Sequence, residues 1–201
     1  MKKILRVFIV VLFLLFTWPF FLYKVYGNKS YKLKGNTIII SNHYSNFDPF
    51  FIYLYFFKHH INFVTIIEVK KNLLTRFVTW LFDCLYVNYN GSNLGFFKQA
   101  IKILKNDGII CIFPEGEINP TKYGFFEFYE SYLHLAKKTN GSILPLYIYP
   151  ELKFFKKSKI YIGENITIDE INSYKDYISI NMHIQALIFD YSFQVDEEAN
   201  S

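Results

Sequence analysis

Residues 38–51, IIISNHYSNFDPFF, constrain this chain more than any other stretch. A β-branched apolar run ends at Ser41, and Asn42 and His43 follow. Five residues past the histidine, Asp48-Pro49 opens a second apolar segment. A continuous apolar run is the mark of a strand buried on both faces, which occurs where helices cover a parallel sheet. The order strand, polar turn, helix start places an imidazole at the C-terminal end of a strand and a carboxylate at the next helix N-terminus. Open α/β sheets bind their ligands at that edge. A plain reading makes Asp48 a helix N-cap, with Pro49 as first helical residue and His43 an idle loop histidine. The functional reading pairs His43 as a general base with Asp48 as the group that orients it.

The rest of the chain alternates in the same way. Strands are expected at residues 36–41, 62–67, 84–87, 109–113, 143–149 and 159–162, and helices at 49–57, 73–82, 93–105, 125–138 and 171–195. Ser92 is the expected cap of the helix at 93–105, and Asn140-Gly141 the stop of the helix before it. Pro145 argues for an edge strand or a strand start. The pattern defines one α/β domain, residues 27–195, with a mixed, mostly parallel sheet flanked by helices. Residues 196–201 form an acidic tail, expected to fray.

Residues 1–26 read as a hydrophobic N-terminal membrane anchor. Residues 7–23 are nearly uncharged, and such a length just suffices to cross a bilayer core. Lysines or arginine flank both ends, so the positive-inside rule does not orient the segment. Basic residues on both sides also suit a helix that dips into one anionic leaflet and returns, with Pro19 as the bend. Anchoring on the cytoplasmic face is the preferred expectation. The composition agrees: 52% hydrophobic, 21% aromatic and a net charge of +5 suit an anionic lipid surface. No dense basic stripe points to nucleic acid, and no His or Cys spacing points to a metal. Cys84 and Cys111 sit inside apolar segments, as small core residues do.

A second landmark is IICIFPEGE, residues 109–117, where a buried-strand run stops at Phe113-Pro114-Glu115-Gly116. N-H-x4-D followed by a strand ending F-P-E-G resembles the glycerolipid acyltransferase family, whose best-known members are lysophosphatidic acid acyltransferases. The resemblance runs from about residue 35 to residue 163. It implies a membrane-associated O-acyltransferase with His43 as base and Asp48 as its partner. It implies no cofactor beyond the acyl donor, either acyl-CoA or acyl carrier protein, and a membrane lipid as acceptor. Asn42, Phe113, Pro114, Glu115, Gly116 and Lys122 are the expected substrate-binding residues, and backbone N–H groups near Asn42–His43 or Gly116 the candidate oxyanion donors. A thioester is already activated, so no protein nucleophile is needed, and the chain has no G-x-S-x-G elbow.

The departures from the family pattern concern the acceptor. Members with a glycerophosphate acceptor usually continue F-P-E-G with Thr-Arg-Ser, where this chain has Glu117-Ile118-Asn119. The family's middle motif usually ends a strand with arginine, where Leu85-Tyr86-Val87-Asn88 runs into Tyr89. Arg6 and Arg76 are the chain's arginines, so guanidinium forks for a phosphate are largely missing. Lys70, Lys71 or Lys122 are left as point charges.

Overall fold

The computed structural model describes residues 2–17, 23–119, 121, 124–149 and 158–200. A first helix, α1 (Lys2–Thr17), precedes the strands β1 (Tyr23–Gly27) and β2 (Thr37–Ser41). Then follow α2 (Asp48–Tyr55), β3 (Ile61–Ile66), α3 (Leu73–Leu81), β4 (Leu85–Val87), α4 (Leu94–Lys105) and β5 (Ile109–Ile112). The C-terminal part is α5 (Ser131–Thr139), β6 (Ser142–Ile148), β7 (Ser158–Ile162), α6 (Ile168–Ser173) and α7 (Tyr177–Asn200). The strands form one sheet in the order β1-β7-β6-β2-β5-β3-β4. Every pairing is parallel except β6 with β7.

Alternation along the central strands divides the core in two. Ile38, Ile40, Ile110, Ile112 and Ile143 face α4, α5 and α7, where Phe96, Ala100, Leu104, Tyr132, Ile180, Ile184 and Ile188 cover them. Ile39, Cys111, Leu144 and Leu146 face the other way, against Phe51 and Ile52 of α2, Phe56 just past it, and Val10 of α1. Both cysteines are free thiols, Cys111 buried and Cys84 partly so. Burial pushes the Cys84 thiol up to about 12, so it is a poor nucleophile.

The N-terminal expectation needs correction. The first 26 residues are not one anchor, since residues 23–27 are a strand pairing with β7 along its whole length. The 16 residues of α1 reach about 24 Å, short of the ~30 Å hydrocarbon core. Among the described residues no helix is long and apolar enough to cross a membrane. Instead α1 is docked by its basic residues: the Arg6 guanidinium, buried, donates to the Leu81 carbonyl at 3.0 and 2.6 Å and to Asp83 at 3.0 Å. Lys2 reaches Asp83 at 2.6 Å and lies over the Trp80 ring. Pro19 lies outside the described residues.

Four further expectations change. Pro145 sits in an interior strand, because the β6 groups that bond β2 alternate with those that face β7. Residues 143 and 145 point to the β7 side, where Ile143 bonds Ile166 and the Pro145 carbonyl accepts from Gly163. The missing N–H therefore interrupts no β2 bond. The helix expected from residue 125 starts at Ser131, because the N–H groups of Phe126 and Tyr129 are drawn to Glu115 and to the Pro114 carbonyl. The long C-terminal helix is broken at Tyr174, whose backbone is extended, and α7 restarts on Asp176, which accepts from Ser179 at 2.7 Å. That break resets the helical phase and leaves Ile178 exposed. Residues 196–200 continue α7 rather than fraying. The Ser92 cap is corrected as well: α4 starts at Leu94 with Asn93 in the cap position and no side-chain cap bond there, and Ser92, one residue earlier, accepts from Leu94 N at 3.4 Å.

Candidate active site

The C-terminal ends of β2 and β5, neighbours in the sheet, bring the two sequence landmarks together. Asp48 is the first residue of α2, not its cap: its carboxylate turns back over residues 43–45. Oδ2 accepts from His43 Nδ1 at 2.9 Å, Tyr44 N at 2.6 Å and Ser45 N at 2.7 Å, and Oδ1 accepts from Ser45 Oγ at 2.9 Å. These donors satisfy a carboxylate whose side chain is 1% exposed. With Nδ1–H directed to Asp48, Nε2 carries the imidazole lone pair. The His43 side chain remains 18% exposed, enough to meet a substrate. Phe113 stacks on the ring, with centroids 4.2 Å apart and planes 19° apart, which holds the plane of the imidazole.

Glu115 is buried and acts on backbone. Oε1 accepts the His43 N–H at 2.9 Å, while Oε2 accepts from Asn119 Nδ2 at 2.8 Å and Phe126 N at 3.0 Å. Asn119 N in turn donates to the His43 carbonyl at 2.7 Å. Glu115 thus ties the histidine turn to the loop after β5, and both its oxygens are occupied. Asn42, expected at the substrate, has its side-chain amide engaged with Ile148: Nδ2 donates to the carbonyl at 2.9 Å and Oδ1 accepts the N–H at 2.7 Å. It locks the end of β2 to β6. Two of the expected oxyanion donors are also engaged, His43 N with Glu115 and Gly116 N with the Phe113 carbonyl.

Gly116 is required by its surroundings. Its φ is +78°, and a Cβ there would lie 2.7 Å from the Tyr129 ring and 2.8 Å from Tyr89 Oη. The Pro114 carbonyl accepts from Tyr129 N at 2.9 Å. Lys122 lies outside the described residues. Lys70 holds its ammonium 3.7 Å from the Tyr86 ring centroid. Sequence reasoning missed Asn119, Tyr89 and Tyr129 as parts of this edge. For Asn119 and Tyr89 the one available signal was their position near F-P-E-G or past the end of β4; Tyr129 had none. Among the described residues, no group of three His, Cys, Asp or Glu is placed to hold a metal ion.

A parallel-rich α/β sheet with a histidine backed by a buried carboxylate at its C-terminal edge defines an α/β protein whose site is suited to acid–base chemistry. The comparisons agree. The family model described as Acyltransferase matches residues 23–149, and the chain belongs to that family. A 1-acyl-sn-glycerol-3-phosphate acyltransferase of Borreliella burgdorferi is 31% identical over 146 residues, covering 68% of this chain. The chain spans 55% of that relative's length. The crystal structure of the 1-acyl-sn-glycerophosphate acyltransferase PlsC from Thermotoga maritima superposes with a TM-score of 0.70 at 21% identity, over 90% of this chain and 75% of that one. It shares the fold.

Proposed function

We propose that the chain is an O-acyltransferase working at a membrane surface. It moves a fatty acyl group from the thioester of acyl-CoA or acyl carrier protein to a hydroxyl of a lysophospholipid or related 1-acylglycerol lipid, in phospholipid synthesis or remodelling. The observation that carries the reading is the His43–Asp48 pair, 2.9 Å apart and tied through Glu115 to the second motif. The names of the relatives supply the acceptor type, a 1-acylglycerol-3-phosphate-like lipid.

In this mechanism His43 Nε2 takes the proton of the acceptor hydroxyl as its oxygen attacks the thioester carbonyl carbon. Asp48 stabilises the imidazolium that forms. The carbon–sulfur bond then breaks, the thiolate takes the proton back from His43, and an ester and a free thiol leave. General-base help of this kind accounts for about 10²–10⁴ in rate.

Membrane contact is supported by an exposed apolar surface on α3 and α1. Leu73 is 81% and Leu74 71% exposed, and Phe77, Val78 and Trp80 are also exposed on α3. Ile4 and Phe8 are exposed on α1, which the Lys2–Trp80 contact sets beside α3. An apolar face of that size suits a helix pair lying in the headgroup region, and the net positive charge suits the anionic cytoplasmic leaflet.

The test is free-thiol release by the full chain supplied with an acyl thioester and lysolipid vesicles. Release that depends on both substrates and is lost in His43→Ala is the expected result. Tight lysolipid binding with no turnover across acceptors and both donor carriers would overturn the reading in favour of a lipid-binding protein on the same fold.

A further inference from the structure

The strands β3, β4 and β5 are parallel neighbours, so their C-terminal ends meet on the edge that carries His43. Past β3, the turn Ile67–Lys71 brings Glu68 to that edge. Past β4 stands Tyr89, and past β5 stand Gly116 and Glu117. Tyr89 Oη donates to the Gly116 carbonyl. The Tyr89 and Tyr129 rings lie 6.4 Å apart at 34°, and both crowd the space beside Gly116. Burial, followed by its neighbours Tyr129, Glu117 and Glu68, pushes the Tyr89 phenol up, so its hydroxyl stays a neutral donor.

Glu68 holds the unexplained atom. Its Oε2 is buried from water and has no hydrogen-bond partner among the described residues. A buried carboxylate oxygen without a donor is costly, and a donor brought by a ligand would remove that cost. The cation on the same turn is held elsewhere, since Lys70 sits over Tyr86, while Lys71 is exposed. Among the described residues, the rim beside the proposed base is therefore aromatic and acidic.

We propose that Glu68, Tyr89, Glu117 and Tyr129 select a lysoglycerolipid whose phosphodiester headgroup ends in an ammonium group, over one that ends in a phosphomonoester. Aromatic faces attract an ammonium, and the two carboxylates complement its charge. The same carboxylates repel a phosphomonoester dianion, for which this edge offers no arginine fork. The headgroup assignment rests on the acyltransferase reading above.

The experiment supplies the full chain with acyl-CoA or acyl carrier protein thioester and four acceptors of equal acyl length. These are lysophosphatidylcholine, lysophosphatidylethanolamine, lysophosphatidic acid and monoacylglycerol. The expected kcat/KM on lysophosphatidylethanolamine, whose ammonium carries N–H donors for Glu68, exceeds that on lysophosphatidic acid by about tenfold or more, while lysophosphatidylcholine, whose quaternary ammonium carries no N–H, reads the charge contribution alone. In the double variant Glu68→Gln, Glu117→Gln that ratio falls about tenfold toward lysophosphatidic acid. The ratio is taken within one preparation, so partial misfolding cancels. Wild-type preference for lysophosphatidic acid or monoacylglycerol, or a ratio unmoved in the variant, overturns the headgroup assignment and leaves the acyltransferase reading standing. Turnover of none of the four overturns both.

Discussion

The backbone N–H of His43 donates to the Glu115 carboxylate at 2.9 Å, across 72 positions of sequence. Glu115 therefore acts on the histidine through its main chain, while Asp48 acts on the ring. One carboxylate sets where the turn sits, and the other sets how the imidazole points. Glu115→Ala leaves the His43 N–H, the Asn119 amide and the Phe126 N–H without their acceptor. The expected loss is about 2–4 kcal/mol of stability, because each of these bonds goes to a charged group. Thermal unfolding reads the loss, and unchanged stability would show the three bonds to be unimportant.

The His43 and Asp48 variants should separate chemistry from structure. His43→Ala is expected to lower kcat by about 10²–10⁴. Its cost in stability is about 1 kcal/mol, from the lost Phe113 stacking and one of the four donors to Asp48. Asp48→Ala should lower kcat by a similar factor and also destabilise by roughly 2–3 kcal/mol, because two backbone N–H groups lose their acceptor. Paired measurements of thiol release and urea unfolding check both. Equal stability in the two variants would contradict the geometry.

Gly116→Ala combines a left-handed backbone with a methyl pressed between two rings. The expected cost is about 1–3 kcal/mol, with a loss of activity through displacement of the Glu115 turn. The variant Gly116→Ala, Tyr129→Ala should recover part of it by making room. Absence of any recovery would place the strain in the backbone alone.

Asp83 predicts a pH response at the N-terminal helix. Burial alone would raise its carboxyl, but the Lys2 hydrogen bond and charge, with His60 and Arg6, outweigh burial and hold it below its usual value of 3.8. A carboxyl depressed in the folded state stabilises fully above its unfolded pKa. That contribution fades as pH falls from about 3.8 through the folded value. Trp80, beneath Lys2, is a fluorescent reporter of α1 docking. Its signal should change below about pH 4, and Asp83→Asn should shift or flatten that change. A wild-type signal independent of acid would sink the prediction.

The apolar face of α3 gives a binding prediction. Leu73→Glu, Leu74→Glu alters two of the most exposed apolar side chains in the chain. Flotation with anionic vesicles should fall about tenfold or more, at a stability change within roughly 0.5 kcal/mol. Undiminished flotation would remove α3 from the contact.

Much of this was legible in the chain itself. Local patterns sufficed for the alternation of strands and helices, and the two motifs fell at strand ends because buried β-branched runs stop where polar turns begin. The pairing of His43 with Asp48 was open to sequence reading for the same reason: five residues of turn connect them. Longer-range competition was not legible. Residues 23–27 follow directly on an apolar run, and only β7, far along the chain, makes them a strand. Phe125 to Tyr129 carry a helical pattern, yet two of their N–H groups find acceptors at Pro114 and Glu115. Glu115 looks like a substrate residue beside its neighbours in sequence, and becomes a tie between loops once β2 and β5 lie side by side. Short-range patterning determined most of the elements and the His43–Asp48 pair. Which backbone groups each buried carboxylate satisfies depends on strands brought together from distant positions, and only the tertiary structure decided that.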